Sequence, residues 1–168
     1  MGLQNFSRTQ QQKIKTLINS PSYHGFLSLE KSGHNCKIGQ NDTRWDIFAK
    51  ELLKDGYDET ELWNLYETTL KWFLPRLKAF RETHGDNPDC ICFNCKPNEA
   101  FDKWNETLDE MIWLCEELLS EKERSILINK RSCCEITEEE YKNQIKKLNL
   151  RTLRAKKLFG DFFLHLWC

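Results

Sequence analysis

The sequence predicts an all-α protein, a compact helical bundle of four to five helices with an irregular N-terminal segment and a cysteine-rich loop. Three observations carry that expectation. Apolar residues recur at steps of three and four over most of the chain after Asp42, the period of a half-buried helix. Strand-like alternation persists nowhere. Only 7 Gly and 4 Pro stand in 168 residues, too few turn formers for a sandwich or barrel of short strands. A chain of this length, 39% hydrophobic, buries enough surface to fold without covalent staples.

The elements follow in order. Residues 1–41 are polar and broken, with a helix expected near 9–18, where Ile14, Leu17 and Ile18 fall on one side. Ser20-Pro21, Gly25, Gly33 and Gly39 then mark turns. We read 1–41 as a partly irregular segment and 42–168 as the bundle domain, with a cysteine-rich insertion at 84–97. Trp45, Phe48, Ala49, Leu52 and Leu53 define a helix that Gly56 stops. Asp58 offers an N-cap with Glu61 as its reciprocal partner. Leu62, Leu65, Tyr66, Leu70, Phe73, Leu77 and Phe80 form the next stripe, but Pro75 sits inside it. Proline lacks the backbone donor and crowds the preceding turn, so a kink or restart is expected near Leu74.

His84-Gly85-Asp86-Asn87-Pro88 ends that stripe, and Asn98 is the expected cap of a helix with Phe101, Trp104, Leu108, Met111, Ile112, Cys115, Leu118 and Leu119 on one face. A polar connection follows, with room for a helical turn near 125–129. Thr137 and Glu140 form a capping-box signature, opening a last helix that carries Tyr141, Ile145 and Leu148 and runs to about Trp167.

Net charge is −1, which argues against a nucleic-acid coat, so nucleic acid is not an expected partner. The average conceals a segregation. Nine acidic and two basic residues lie between Glu99 and Glu123, whereas seven basic and no acidic residues lie between Lys142 and Lys157. A local anion site and a pair of mutually attracting or solvated helix faces both fit that pattern. No apolar run approaches the roughly 18 residues of a membrane span, and Met1–Phe6 lacks the layout of a signal peptide. A cytoplasmic protein without a membrane partner is therefore expected.

Short motifs add a resemblance. Asp42-Thr43-Arg44-Trp45, the run Phe73-Leu74-Pro75-Arg76-Leu77-Lys78-Ala79-Phe80, the segment Trp104-Asn105-Glu106-Thr107-Leu108-Asp109-Glu110-Met111-Ile112-Trp113 and the tail Leu158-Phe159-Gly160-Asp161-Phe162-Phe163 through Trp167 occur in that order. They resemble a family of small uncharacterised helical proteins encoded by bacteriophages and other viruses. The resemblance covers about residues 42–168 and implies a helical viral protein, with no reaction attached. Two departures stand out: the loop bearing Cys90, Cys92 and Cys95 looks like an insertion, and Asp161 replaces a usually basic position.

Candidate sites are few. Cys90-x-Cys92-x-x-Cys95 supplies three soft ligands, with His84 as a fourth for a structural zinc; a loop with free thiols is the competing reading. His34 and Cys36 are a further donor pair, and the adjacent Cys133 and Cys134 chelate poorly. Arg76, Lys78 and Arg81 follow Pro75, where a restarted helix would present free N–H groups to an anion, with Trp45 and Trp72 as stacking surfaces for a base. The competing reading pairs Arg76 and Arg81 with the acidic Glu106–Glu110 stretch. Glu106, Asp109 and Glu110 share a helical face but lack the Glu-x-x-His partner of dinuclear carboxylate sites. The aromatic tail either closes the core or docks on another subunit.

With no nucleophile elbow, Walker loop or zinc-protease motif, the expectation is a non-enzymatic, oligomeric, virus-type accessory protein. It would sequester an anionic small molecule, such as a nucleotide signal of host defence, at Arg76, Lys78 and Arg81. A protein-binding inhibitor or scaffold acting on a host protein through the zinc loop or tail is the alternative, and a metal-dependent phosphoesterase using Asp109 is a third.

Overall fold

The structure, a computed structural model, describes residues 2–30, 37–85, 88, 91 and 96–166. These residues are all-α: helices α1 (Arg8–Ile18), α2 (Trp45–Asp55), α3 (Glu59–Leu62), α4 (Leu65–Thr83), α5 (Pro97–Ser120), α6 (Lys122–Ser132) and α7 (Glu138–Phe162). Short 3-10 turns stand at Leu3–Asn5 and Phe163–His165. The chain forms two compact units, Met1–Trp72 and Phe73–Cys168.

In the first unit, Ser7 opens α1 with a reciprocal cap: the Gln10 N–H donates to Ser7 Oγ, and the Ser7 N–H donates to Gln10 Oε1 at 2.9 Å. Phe6, Ile14, Leu27 and Ile38 pack with Trp45, Phe48, Ala49 and Leu52 of α2 in one core. Burying an aliphatic side chain of this size contributes about 1.5–3 kcal/mol, which ties the early segment to the helix that follows it. The boundary expected at 41/42 runs through the middle of this core. A parallel bridge joins Leu27 to Ile38. Gly56, at φ 83, ends α2 in the left-handed conformation that side chains resist.

A buried polar knot holds residues 23–27 to the start of α3. Asp58 is fully buried and caps α3 by accepting from the Thr60 N–H at 2.8 Å. Its other oxygen accepts from the Tyr23 hydroxyl at 2.6 Å, and that hydroxyl accepts from the Leu27 N–H at 2.9 Å. Thr60 Oγ1 donates to Asp58 and accepts from the Phe26 N–H at 2.7 Å. Glu61 accepts from the His24 N–H at 2.8 Å, and burial raises its pKa.

The second unit packs α7 against both α5 and α6. Trp104, Leu108, Met111 and Cys115 of α5 are fully buried, as is Ala155 of α7, with Leu77 of α4 nearly so. Helix α5 starts at Pro97, one residue before the expected Asn98 cap, using the position where a missing N–H costs nothing. Glu121, at φ 47, turns the chain directly from α5 into α6. The Glu117 carboxylate caps that new helix, accepting from the N–H groups of Glu123 at 2.9 Å and Arg124 at 3.1 Å. The expected turn near 125–129 is thus part of an 11-residue helix. Thr137 and Glu140 form the capping box that opens α7.

Helix α4 corrects one expectation. It runs unbroken through Pro75, without the restart near Leu74. One lost backbone hydrogen bond is outweighed by packing on both sides of the proline. Phe73 meets Phe159 and Phe163 at ring-centroid distances of 5.8 and 6.1 Å, and Leu77 is buried two residues beyond it.

Candidate functional site

The residues singled out in the sequence do not converge. No helix begins at Pro75, so the free N–H groups expected beside Arg76 do not exist. Lys78 pairs with Glu116 at 2.5 Å. Arg81 grips both Asp109 oxygens, at 2.9 and 3.2 Å. Those cations serve the joint between α4 and α5. Trp45 is fully buried, set edge-on to Phe6, and its Nε1–H donates to Ser28 O at 2.9 Å, leaving no face for a base. Trp72 stays 45% exposed on α4, one turn before Arg76.

His84 is a packed ring between Phe80 and Phe101, with Nε2 at 2.9 Å from Asn105 Oδ1. Cys90, Cys92 and Cys95, with His34 and Cys36, lie outside the described residues. Among the described residues no group of three or more His, Cys, Asp or Glu is gathered to hold a metal ion. Glu106, Asp109 and Glu110 separate by partner: Asp109 goes to Arg81, and Glu110 to Arg151 of α7. Cys133 and Cys134 are exposed free thiols, whereas burial pushes the Cys115 thiol up to about 11. The tail packs inward at Phe159 and Phe162, the latter 5.7 Å from the Trp104 ring centroid, while Phe163 and Leu164 keep 54% and 78% of their surface exposed.

What the structure does assemble is the outer side of α7. Its inner stripe, Leu148 and Ala155, is buried against α5 and α6. Arg151 is fixed at the edge of that stripe. Its guanidinium bonds Glu110 with two nitrogens, at 2.8 and 3.1 Å, reaches Glu123 at 3.4 Å, and lies 3.8 Å over the Trp113 ring. The Trp113 Nε1–H donates to the same Glu123 carboxylate at 2.7 Å. Here α7's basic run forms an ion pair with the acidic run of α5. The hydrogen bonds that Arg151 donates to Glu110 hold its charge more firmly than water would, raising its pKa.

The remaining cations point elsewhere. Lys142 pairs with Glu138 of its own helix at 3.7 Å. No ion pair among the described residues engages Lys146, Lys147, Arg154, Lys156 or Lys157. Between these cations stand Leu150 and Leu153, 58% and 66% exposed. The two leucines form a ridge between two open hollows. One, of about 880 Å³, is lined by Lys103, Glu106, Asp109 and Glu110 of α5 and by Leu150 and Arg154 of α7. The other, of about 450 Å³, is lined by Glu117, Arg124, Leu153 and Lys156.

Sequence reasoning registered the basic run but missed the leucines within it. The signal was present: Lys146, Leu150, Leu153 and Lys157 follow steps of four, three and four, on the side opposite Leu148 and Ala155. Among the described residues no helix is long and apolar enough to cross a membrane. No family model matches the chain, no curated protein matches its sequence, and no solved structure matches its fold.

Proposed function

We propose that this chain is a non-enzymatic binding protein that captures an anionic partner on the outer side of α7. One observation carries the reading: five cations without an ion pair among the described residues surround two leucines left in water. Solvated lysines alone need no partner. Two exposed leucines aligned among them on one stripe add the apolar contact surface that a binding face uses. The expected anion site moves accordingly, from Arg76, Lys78 and Arg81 to α7, since Lys78 and Arg81 already spend their charge on α5. From the resemblance to phage-encoded proteins the reading takes a virus-type accessory role, the sequestering of a component of the host cytoplasm.

The test uses fluorescently labelled polyglutamate as an anionic probe, followed by anisotropy at low and moderate salt. The wild-type chain binds with marked salt dependence. Lys146→Glu with Lys157→Glu weakens binding at least tenfold while helicity by circular dichroism is retained, and Arg76→Ala leaves binding unchanged. If Arg76→Ala abolishes binding and the double reversal does not, the site belongs to α4 and the proposal fails.

A further inference from the structure

Resting on that reading, we infer the chemistry of the partner: an acidic amphipathic helix, docked lengthwise along the stripe Lys146–Leu150–Leu153–Lys157. The spacing of four, three and four is that of a helix-pairing seam, in which two apolar positions per heptad face a second helix. Leu150 and Leu153 supply the apolar positions, and their exposure leaves them open to such a seam. Lys146 and Lys157 extend the stripe by one turn at each end, and Lys147, Arg154 and Lys156 flank it. Those are the places from which charges choose a partner helix, here one rich in Glu or Asp. The hollows beside the ridge give the partner's side chains somewhere to enter, as ridge-into-groove packing requires.

The same observations disfavour the other anionic surfaces. A helix that lies in a membrane interface turns its broad apolar face to the lipid. The broad apolar face of α7 is occupied by α5 and α6, and two leucines are all that its outer side exposes between Lys146 and Lys157. A nucleic-acid backbone would have to pass the larger hollow, where Glu106, Asp109 and Glu110 balance Lys103, Arg151 and Arg154 and leave no net positive charge for a run of phosphates. A partner helix places its charges selectively, beside the lysines and away from those carboxylates.

Three labelled or particulate probes test the inference on the full chain: a helix-forming peptide with Leu at heptad spacing and Glu between, a shuffled peptide of identical composition, and vesicles of phosphatidylserine and phosphatidylcholine. The periodic peptide should bind at least tenfold more tightly than the shuffled one. Leu150→Ala with Leu153→Ala should erase that difference while polyglutamate binding survives, which also shows that the variant is folded. Equal binding of both peptides, or stronger binding to vesicles than to the periodic peptide, overturns the amphipathic-helix partner. Failure of polyglutamate itself to bind the wild-type chain overturns the underlying anion-capture reading instead.

Discussion

At the scale of single residues, a glycine beside the buried polar knot has no room for a side chain. A Cβ at Gly25 would overlap the Tyr23 hydroxyl oxygen and stand 2.7 Å from Thr60 Oγ1. Neither atom is free to retreat. The Tyr23 hydroxyl bridges Asp58 and the Leu27 N–H, and Thr60 Oγ1 bridges Asp58 and the Phe26 N–H. Because Asp58 is fully buried, moving either donor strips a charged group of its compensation. Gly25→Ala should therefore destabilise the first unit by about 1–3 kcal/mol, read as a lower urea midpoint. A double-mutant cycle with Tyr23→Phe identifies the cause. Removing the hydroxyl takes away the nearest of the three contacts and leaves the ring carbon Cζ at 2.6 Å and Thr60 Oγ1 at 2.7 Å, so the paired variant should lose somewhat less than the two single losses added together. Strict additivity would place the strain elsewhere.

At the scale of elements, what the sequence disclosed depended on whether the signal was local. The caps were local: Ser7, Asp58 and Thr137 act through residues two or three positions away, and the box expected at Thr137 forms, whereas at Asp58 only the N-cap forms, because Glu61, its expected reciprocal partner, accepts from the His24 N–H instead. The fate of Pro75 was not local, because the aromatic rings that keep α4 whole come from Phe159 and Phe163, more than 80 residues downstream. The cap of α6 was hidden for a different reason. Glu117 lies inside α5 and reaches forward over the left-handed Glu121, an arrangement no capping motif encodes. The candidate site was half legible: the basic run of α7 is plain in the sequence, but which cations are consumed depends on Glu110, Trp113 and Glu123. Arg151 is the joint among α5, α6 and α7, and its planar fork and stacking are features a lysine lacks. Arg151→Lys should cost about 1–2 kcal/mol of stability and alter Trp113 fluorescence, whereas Lys157→Ala, without an ion pair among the described residues, should change neither. Equal losses in the two variants would mean that the cluster contributes no more than any surface charge.

At the scale of the whole molecule, the question is whether two compact units mean two cooperative ones. Each has its own buried set, Trp45 with Leu52 in the first and Trp104 with Leu108 in the second. Helix α4 belongs to both, since Leu65 to Trp72 falls in one and Phe73 to Thr83 in the other. A helix is cooperative along its length, so α4 is the natural reporter of how far an opening spreads. Leu52→Ala and Leu108→Ala each remove a buried side chain and should destabilise by about 2–5 kcal/mol at their own site. Native-state hydrogen exchange then separates the cases. With separate units, Leu52→Ala lowers protection in α1 and α2 and in α4 only up to about Trp72, and Leu108→Ala lowers it in α5, α7 and the part of α4 after Phe73. Loss of protection along all of α4 from either variant would instead mean that the continuous helix carries the opening across the division, and that the chain unfolds as one. Pro75 sharpens the contrast, because it interrupts the hydrogen-bond ladder three residues past Trp72 and offers the place where half of α4 can open without the other.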